Sequence, residues 1–241
     1  MSRKLLASAG LIAVMGGVVV TTAAGSAAPR PAASLALSPS GFVSAVDNPY
    51  FPLLPGTTLI YKGVRDGVAQ TDRVSVTSET KVIQGVTTTV VRDVARHQKR
   101  LLEKTFDWYA QDDQGNVWYF GEDTKDYKPN GQVASTEGSW EAGVDGAQAG
   151  IIMKADPEPP DGYRQELYPD HAEDQAWVLS RGTALTVPYG RVTEVLRTME
   201  WTPLEPRVVD QKYYAPGLGI VFEVSVAGGQ EVAKLVRVET A

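Results

Sequence analysis

The sequence predicts a mostly β protein built on a single curved antiparallel sheet, a half-barrel or a barrel, with one short helix. Three observations carry this. Apolar and polar residues alternate with a period of two, as in residues 72–80 (D-R-V-S-V-T-S-E-T). Gly, Asn, Asp and Pro turn signals break these runs at regular spacing. Strands joined by such short turns need no helical crossover, so neighbours pair antiparallel.

The chain opens with Arg3 and Lys4, an apolar run at 5–20 and a small-residue stretch at 21–28. These are the parts of a secretory signal, placed at residues 1–27, with Gly25-Ser26-Ala27 as a small-x-small cleavage site. Residues 28–45 are rich in Ala, Ser and Pro and read as a disordered linker. The β domain then spans 46–241. Three prolines in residues 48–56 block helix, and Tyr50, Phe51, Leu53 and Leu54 are apolar enough to plug one end of the β structure.

Strands follow at 57–62, 72–80 and 86–94, separated by Asp66-Gly67 and Gln84-Gly85. Residues 101–110 and 117–120 form an aromatic hairpin around an Asp/Gly/Asn turn. Residues 126–161 are a long Gly/Pro loop with short strands near 138–143 and 151–154. Residues 169–179 predict the helix: Asp170 as its cap, Glu173 completing a capping box, and acidic residues in its first turn. Five more strands, at 183–187, 192–201, 208–214, 220–226 and 232–238, complete a meander.

Composition narrows the function. About 200 to 215 residues remain after the leader, enough for one sandwich or barrel that buries about 70% of its unfolded surface. The absence of cysteine excludes disulfides, thiolate metal sites, cysteine nucleophiles and a lipid-bearing N-terminal cysteine. Formal charge is -6, and without Arg3 and Lys4 about -8. The one basic run, R-H-Q-K-R at 96–100, is short, which argues against nucleic acid or an anionic membrane as partner. No second apolar run could span a bilayer, so the mature chain is expected to lack a transmembrane segment and to be secreted, outside the cell or in a periplasm.

Candidate chemistry divides three ways. Trp108, Trp118, Trp140 and Trp201 are expected to line an aromatic-walled, ligand-binding pocket, with residues 126–161 as its lid. In residues 106–109 and 118–120 adjacent aromatics point to opposite faces, so one face fills the core and the other is free to bind. This predicts a secreted, non-catalytic binding protein for an apolar or amphipathic small molecule such as a lipid. A second reading takes Glu122, Asp123 and Glu166 as paired carboxylates of an enzyme acting on an extracellular glycan or small metabolite. A third is a wall-associated structural or adhesion domain. His97 and His171 are the two histidines; His171 with Asp174, and the acidic turn at 112–116, lack zinc and EF-hand spacing, so no metal or cofactor is expected. No G-x-S-x-G elbow and no Gly-rich phosphate loop occurs.

Residues 200–219 (E-W-T-P-L-E-P-R-V-V-D-Q-K-Y-Y-A-P-G-L-G) and 116–124 (N-V-W-Y-F-G-E-D-T) resemble motifs of uncharacterised secreted β proteins of actinobacteria and other bacteria. The Y-Y-A-P-G-x-G element is also similar to one in lipoprotein-carrier half-barrels. That resemblance implies a strongly curved antiparallel sheet around an apolar cavity. It carries no catalytic residue.

Overall fold

Branched and aromatic residues fill the segments that pair, and Gly, Asn, Asp or Gln occupies the corners between them, several at positive φ (Asp66, Gly67, Gln84, Gly85). The computed structural model describes residues 37–241. The predicted signal and residues 28–36 of the predicted linker lie outside the described residues.

The strands are β1 (Phe42–Val43), β2 (Thr57–Arg65), β3 (Val68–Ile83), β4 (Val86–His97), β5 (Arg100–Asp112), β6 (Val117–Tyr127), β7 (Val133–Ser135), β8 (Trp140–Glu141), β9 (Gln148–Met153), β10 (Gly162–Arg164), β11 (Glu166–Leu167), β12 (Gln175–Val187), β13 (Gly190–Trp201), β14 (Val209–Ala215), β15 (Gly219–Ala227) and β16 (Val232–Thr240). All pair antiparallel in one sheet, thirteen of them in the order β10-β12-β13-β14-β15-β16-β2-β3-β4-β5-β6-β9-β11, with β1 on β5 and both β7 and β8 on β6. The expected curved antiparallel sheet is therefore present, as a nearly closed barrel.

Two junctions bend the sheet into a ring. Strand β16 runs beside β2, from Val232 opposite Val64 to Thr240 opposite Thr57. Gly63 sits in this ladder, and a Cβ there would lie 1.8 Å from the Val232 carbonyl oxygen. The other junction is one short stretch of chain. Residues 162–164 pair with β12, while Glu166 and Leu167 pair with β9. Gln165 lies between, 1% exposed. Gly150 of β9 allows this close approach, since a Cβ on it would lie 2.4 Å from the Gln165 oxygen.

Two expectations are corrected. Residues 169–179 are not a helix, and the 3-10 turn Pro39–Gly41 is the helical element among the described residues. The bond expected of a capping box exists, with Asp170 N donating to Glu173 Oε1 (2.8 Å), but it closes a turn. Asp170 has φ 64, whereas a helix cap needs extended backbone. Tyr168 bridges Ala172, and from Gln175 the A-W-V pattern alternates, with Ala176 and Val178 buried and Trp177 exposed. Period two and a waiting neighbour strand outweigh a local cap. The linker also ends earlier than expected: Phe42 and Val43 pair with Asp112 and Gln111 of β5.

The inward faces divide along the barrel. Val46, Tyr50 and Leu53 cover one end, as expected of the Pro-rich segment, while Leu54 stays 68% exposed. The cover is tied down: Asn48 Nδ2 donates to the carbonyls of Gly115 and Lys154 (both 2.9 Å), and Tyr50 OH to that of Glu194 (3.0 Å). The opposite end, where the β2–β3 and β4–β5 hairpins turn, has a polar interior.

Candidate functional site

The interior carries more charge than a β core needs. Among the described residues ten carboxyl groups are buried, against two buried cations, Arg65 and Lys212. Burying a charge is costly unless it is paired, hydrogen-bonded or neutralised by a proton, and all three solutions occur.

Lys212 shows pairing. Its Nζ lies 2.7 Å from Glu200 Oε2. Glu200 Oε1 accepts from Thr198 Oγ1 (2.7 Å) and Tyr214 OH (2.9 Å). Burial alone would pull the ammonium down; the carboxylates of Glu200 and Glu223 outweigh it and hold Lys212 above an ordinary lysine. Asp72 and Asp93 show neutralisation. They are inward residues of β3 and β4, hydrogen-bonded to each other. Burial pushes Asp93 well above the usual carboxylate range, and Asp72 beside it pushes in the same direction. The pair is best described as sharing a proton. Asp107 shows hydrogen bonding, accepting from Tyr119 OH (2.8 Å).

Among the described residues, two hollows stand out in this frame. Beneath the plug, Phe51, Leu53, Leu59, Val74, Tyr109 and Ile220 surround about 40 Å³. That is room for a few water-sized spheres, far below the roughly 300–1,000 Å³ of small-molecule sites. At the polar end lies a cavity of about 520 Å³. The β2–β3 hairpin contributes Arg65, Asp66, Val68 and Gln70. The start of β5 contributes Arg100, Leu102 and Glu103; the end of β6 and the following loop contribute Asp126, Tyr127, Pro129, Ala134, Ser135 and Glu137. The period-two rule explains the wall: Gln70 follows inward in series with Asp72, Val74 and Val76, while Arg73 between them faces out.

Arg65 forms part of this wall and is 7% exposed. Its Nη1 donates to Glu103 Oε2 (3.3 Å), and its Nε stands 4.0 Å from Glu231 Oε2, beyond hydrogen-bond reach. Among the described residues, Arg65 Nε and Nη2 and Gln70 Nε2 have no hydrogen-bond acceptor.

The residues singled out from sequence are distributed differently. Trp108 is buried, with the Lys81 ammonium 3.3 Å from its ring centroid. Trp140 is buried with its edge on Tyr119 (5.4 Å). Trp118 is half-buried, donates from Nε1 to Asp112 Oδ2 (2.8 Å) and meets Phe42 edge-on. Trp201 lies against Trp177 on the outer face (5.1 Å). None of the four is in the wall of either hollow. Glu122 and Glu166 are buried, and with Asp107 their charges act on the stacked rings of Tyr109 and Tyr119, whose hydroxyls burial pushes well up. Asp123, one residue on, pairs outside with Lys125 (2.7 Å). The structure thus brings Glu122 and Glu166 into one interior and leaves Asp123 out. His171 is exposed and stacks on Tyr168 (4.3 Å). Among the described residues no cluster of three or more His, Asp or Glu could hold a metal, and no helix is long and apolar enough to cross a membrane.

Sequence reasoning weighed Glu103 as one of several carboxylates but did not find Arg65, Gln70 or Leu102. The signal was there, in polar residues at alternate positions of strands whose other positions are also polar. Alternation alone does not say which set points inward.

No protein-family model matches the chain, and no curated protein matches it. Two solved structures are similar in shape. A candidate exported protein with a YmcC-like fold from Bacteroides fragilis is 14% identical, with TM-score 0.45, over 79% of this chain and 99% of that one. A candidate lipoprotein from Parabacteroides distasonis is 12% identical, with TM-score 0.41, over 79% of this chain and 98% of that one. Similarity at this level transfers neither ligand nor activity.

Proposed function

We propose that this is a secreted, non-catalytic binding protein that takes a small amphipathic molecule into the polar mouth of its barrel. The observation that supports this best is the cavity of about 520 Å³ at that end, within the size range of small-molecule sites. Its wall joins apolar surface (Val68, Leu102, Tyr127, Pro129) to charged and amide groups (Arg65, Arg100, Glu103, Gln70). Part of the loop expected to be a lid, residues 127–137, forms one side. A bulk lipid chain does not fit the plug-end hollow, which is about 40 Å³. The ligand's apolar part is therefore short, or stays at the mouth.

Ala134 gives a test. It is exposed, on the loop side of the cavity. Ala134→Trp should fill the mouth and reduce binding of short-chain amphiphiles at least tenfold by NMR titration. Stability should stay within about 0.5 kcal/mol, as for other surface changes. Binding that survives with shifts confined to the outer face would reject the mouth as the site.

A further inference from the structure

Resting on that reading of the mouth, we propose that the group it recognises is a neutral sugar, with Arg65 and Gln70 donating to the sugar's oxygens. Two residues of one cavity wall, Arg65 and Gln70, carry three buried donors with no acceptor: Arg65 Nε, Arg65 Nη2 and Gln70 Nε2. Arg65 is 7% and Gln70 6% exposed. Leaving such donors unmet costs stability, and a ligand rich in oxygen lone pairs satisfies them.

Charge decides which oxygens. Arg65 already faces two carboxylates, Glu103 at 3.3 Å and Glu231 at 4.0 Å. A ligand carboxylate or phosphate would add to the wall carboxylates of Asp66, Glu103, Asp126 and Glu137, which outnumber the wall guanidiniums of Arg65 and Arg100. A ligand ammonium would be welcome to those acids but would leave the Arg65 and Gln70 donors unmet. Hydroxyl groups meet both demands, since each accepts from a donor and donates to a carboxylate. A carboxylate offers about four lone-pair sites, so the exposed Asp66 and Glu137 of the wall can receive hydroxyls. Tyr127, Pro129 and Leu102 supply the apolar surface on which the C–H face of a pyranose packs.

The test keeps the tail and changes the head. Octyl glucoside, octanoate and octylammonium are titrated into the purified full-length protein, each below its micelle concentration, and followed by NMR. The glucoside should bind at least tenfold more tightly than the other two. Gln70→Met removes a donor that has no acceptor, so folding should be unharmed while glucoside affinity falls about five- to tenfold. Arg65→Lys keeps a cation between Glu103 and Glu231 but loses the planar fork, and should weaken the glucoside about tenfold. Octanoate or octylammonium binding as tightly as the glucoside would overturn the sugar assignment and leave the mouth as a binding site. Gln70→Met with unchanged glucoside affinity would overturn it too. Failure of all three probes to bind would remove the binding role itself.

Discussion

Asp93 is a carboxyl group that the fold prefers to keep protonated. Burial raises it well above its ordinary value of 3.8, and the neighbouring Asp72 is raised from 3.8 as well. Glu223 is raised for the same first reason. A raised carboxyl binds more protons folded than unfolded, so its stabilising effect is complete below the unfolded value and is lost as pH climbs through the folded one. Thermal melting followed by circular dichroism should therefore show stability declining from about pH 4 upward. Asp93→Asn should flatten that slope and raise the melting temperature at neutral pH. A slope as steep as wild type in this variant would reject the shared proton. Lys212 behaves in the opposite way when truncated. Lys212→Met leaves Glu200 buried without its ammonium and should cost about 3–5 kcal/mol. Adding Glu200→Gln should return most of that in urea melts.

The strands expected from sequence rest on local alternation and turn residues, and the structure shows which part of that information suffices. The segments at 57–62, 86–94, 101–110, 117–120 and 192–201 lie in β2, β4, β5, β6 and β13, because alternation and turn residues agree there. At 169–179 they conflict. Asp170 and Glu173 signal a helix start, A-W-V signals a strand, and neighbouring strands decide the contest for the strand. A cap acts within one turn; a ladder on both sides acts along the whole element. The site was less legible, because Arg65, Gln70 and Glu103 belong together only after β2, β3 and β5 come into register. The prediction at this scale concerns Gly63. Its added methyl would meet the Val232 carbonyl at 1.8 Å, so Gly63→Ala should force the β2–β16 ladder apart and cost about 2 kcal/mol or more in denaturant unfolding. A variant as stable as wild type would show that this ladder relaxes freely.

Across the molecule, closure couples the start of the barrel to its end. Tyr61 OH on β2 donates to the Ile220 carbonyl on β15 (2.8 Å), a contact 159 residues apart in sequence. Such non-local pairing makes folding slow, on the order of milliseconds to seconds, and makes β16 indispensable. Removing residues 232–241 should leave a chain without cooperative unfolding, read by the loss of a sigmoidal urea transition.

The weakest link of the ring is its other junction, where residues 162–167 offer three pairings to one side and two to the other. Amide hydrogens there should exchange with deuterium sooner than those of the long β3–β4 and β12–β13 ladders, with β9 and β12 unzipping first. When they part, two unpaired edges face outward together, and a second molecule could dock its own 162–167 segment between them. A barrel that hides its edges so completely thus keeps one latch through which chains could exchange strands at high concentration.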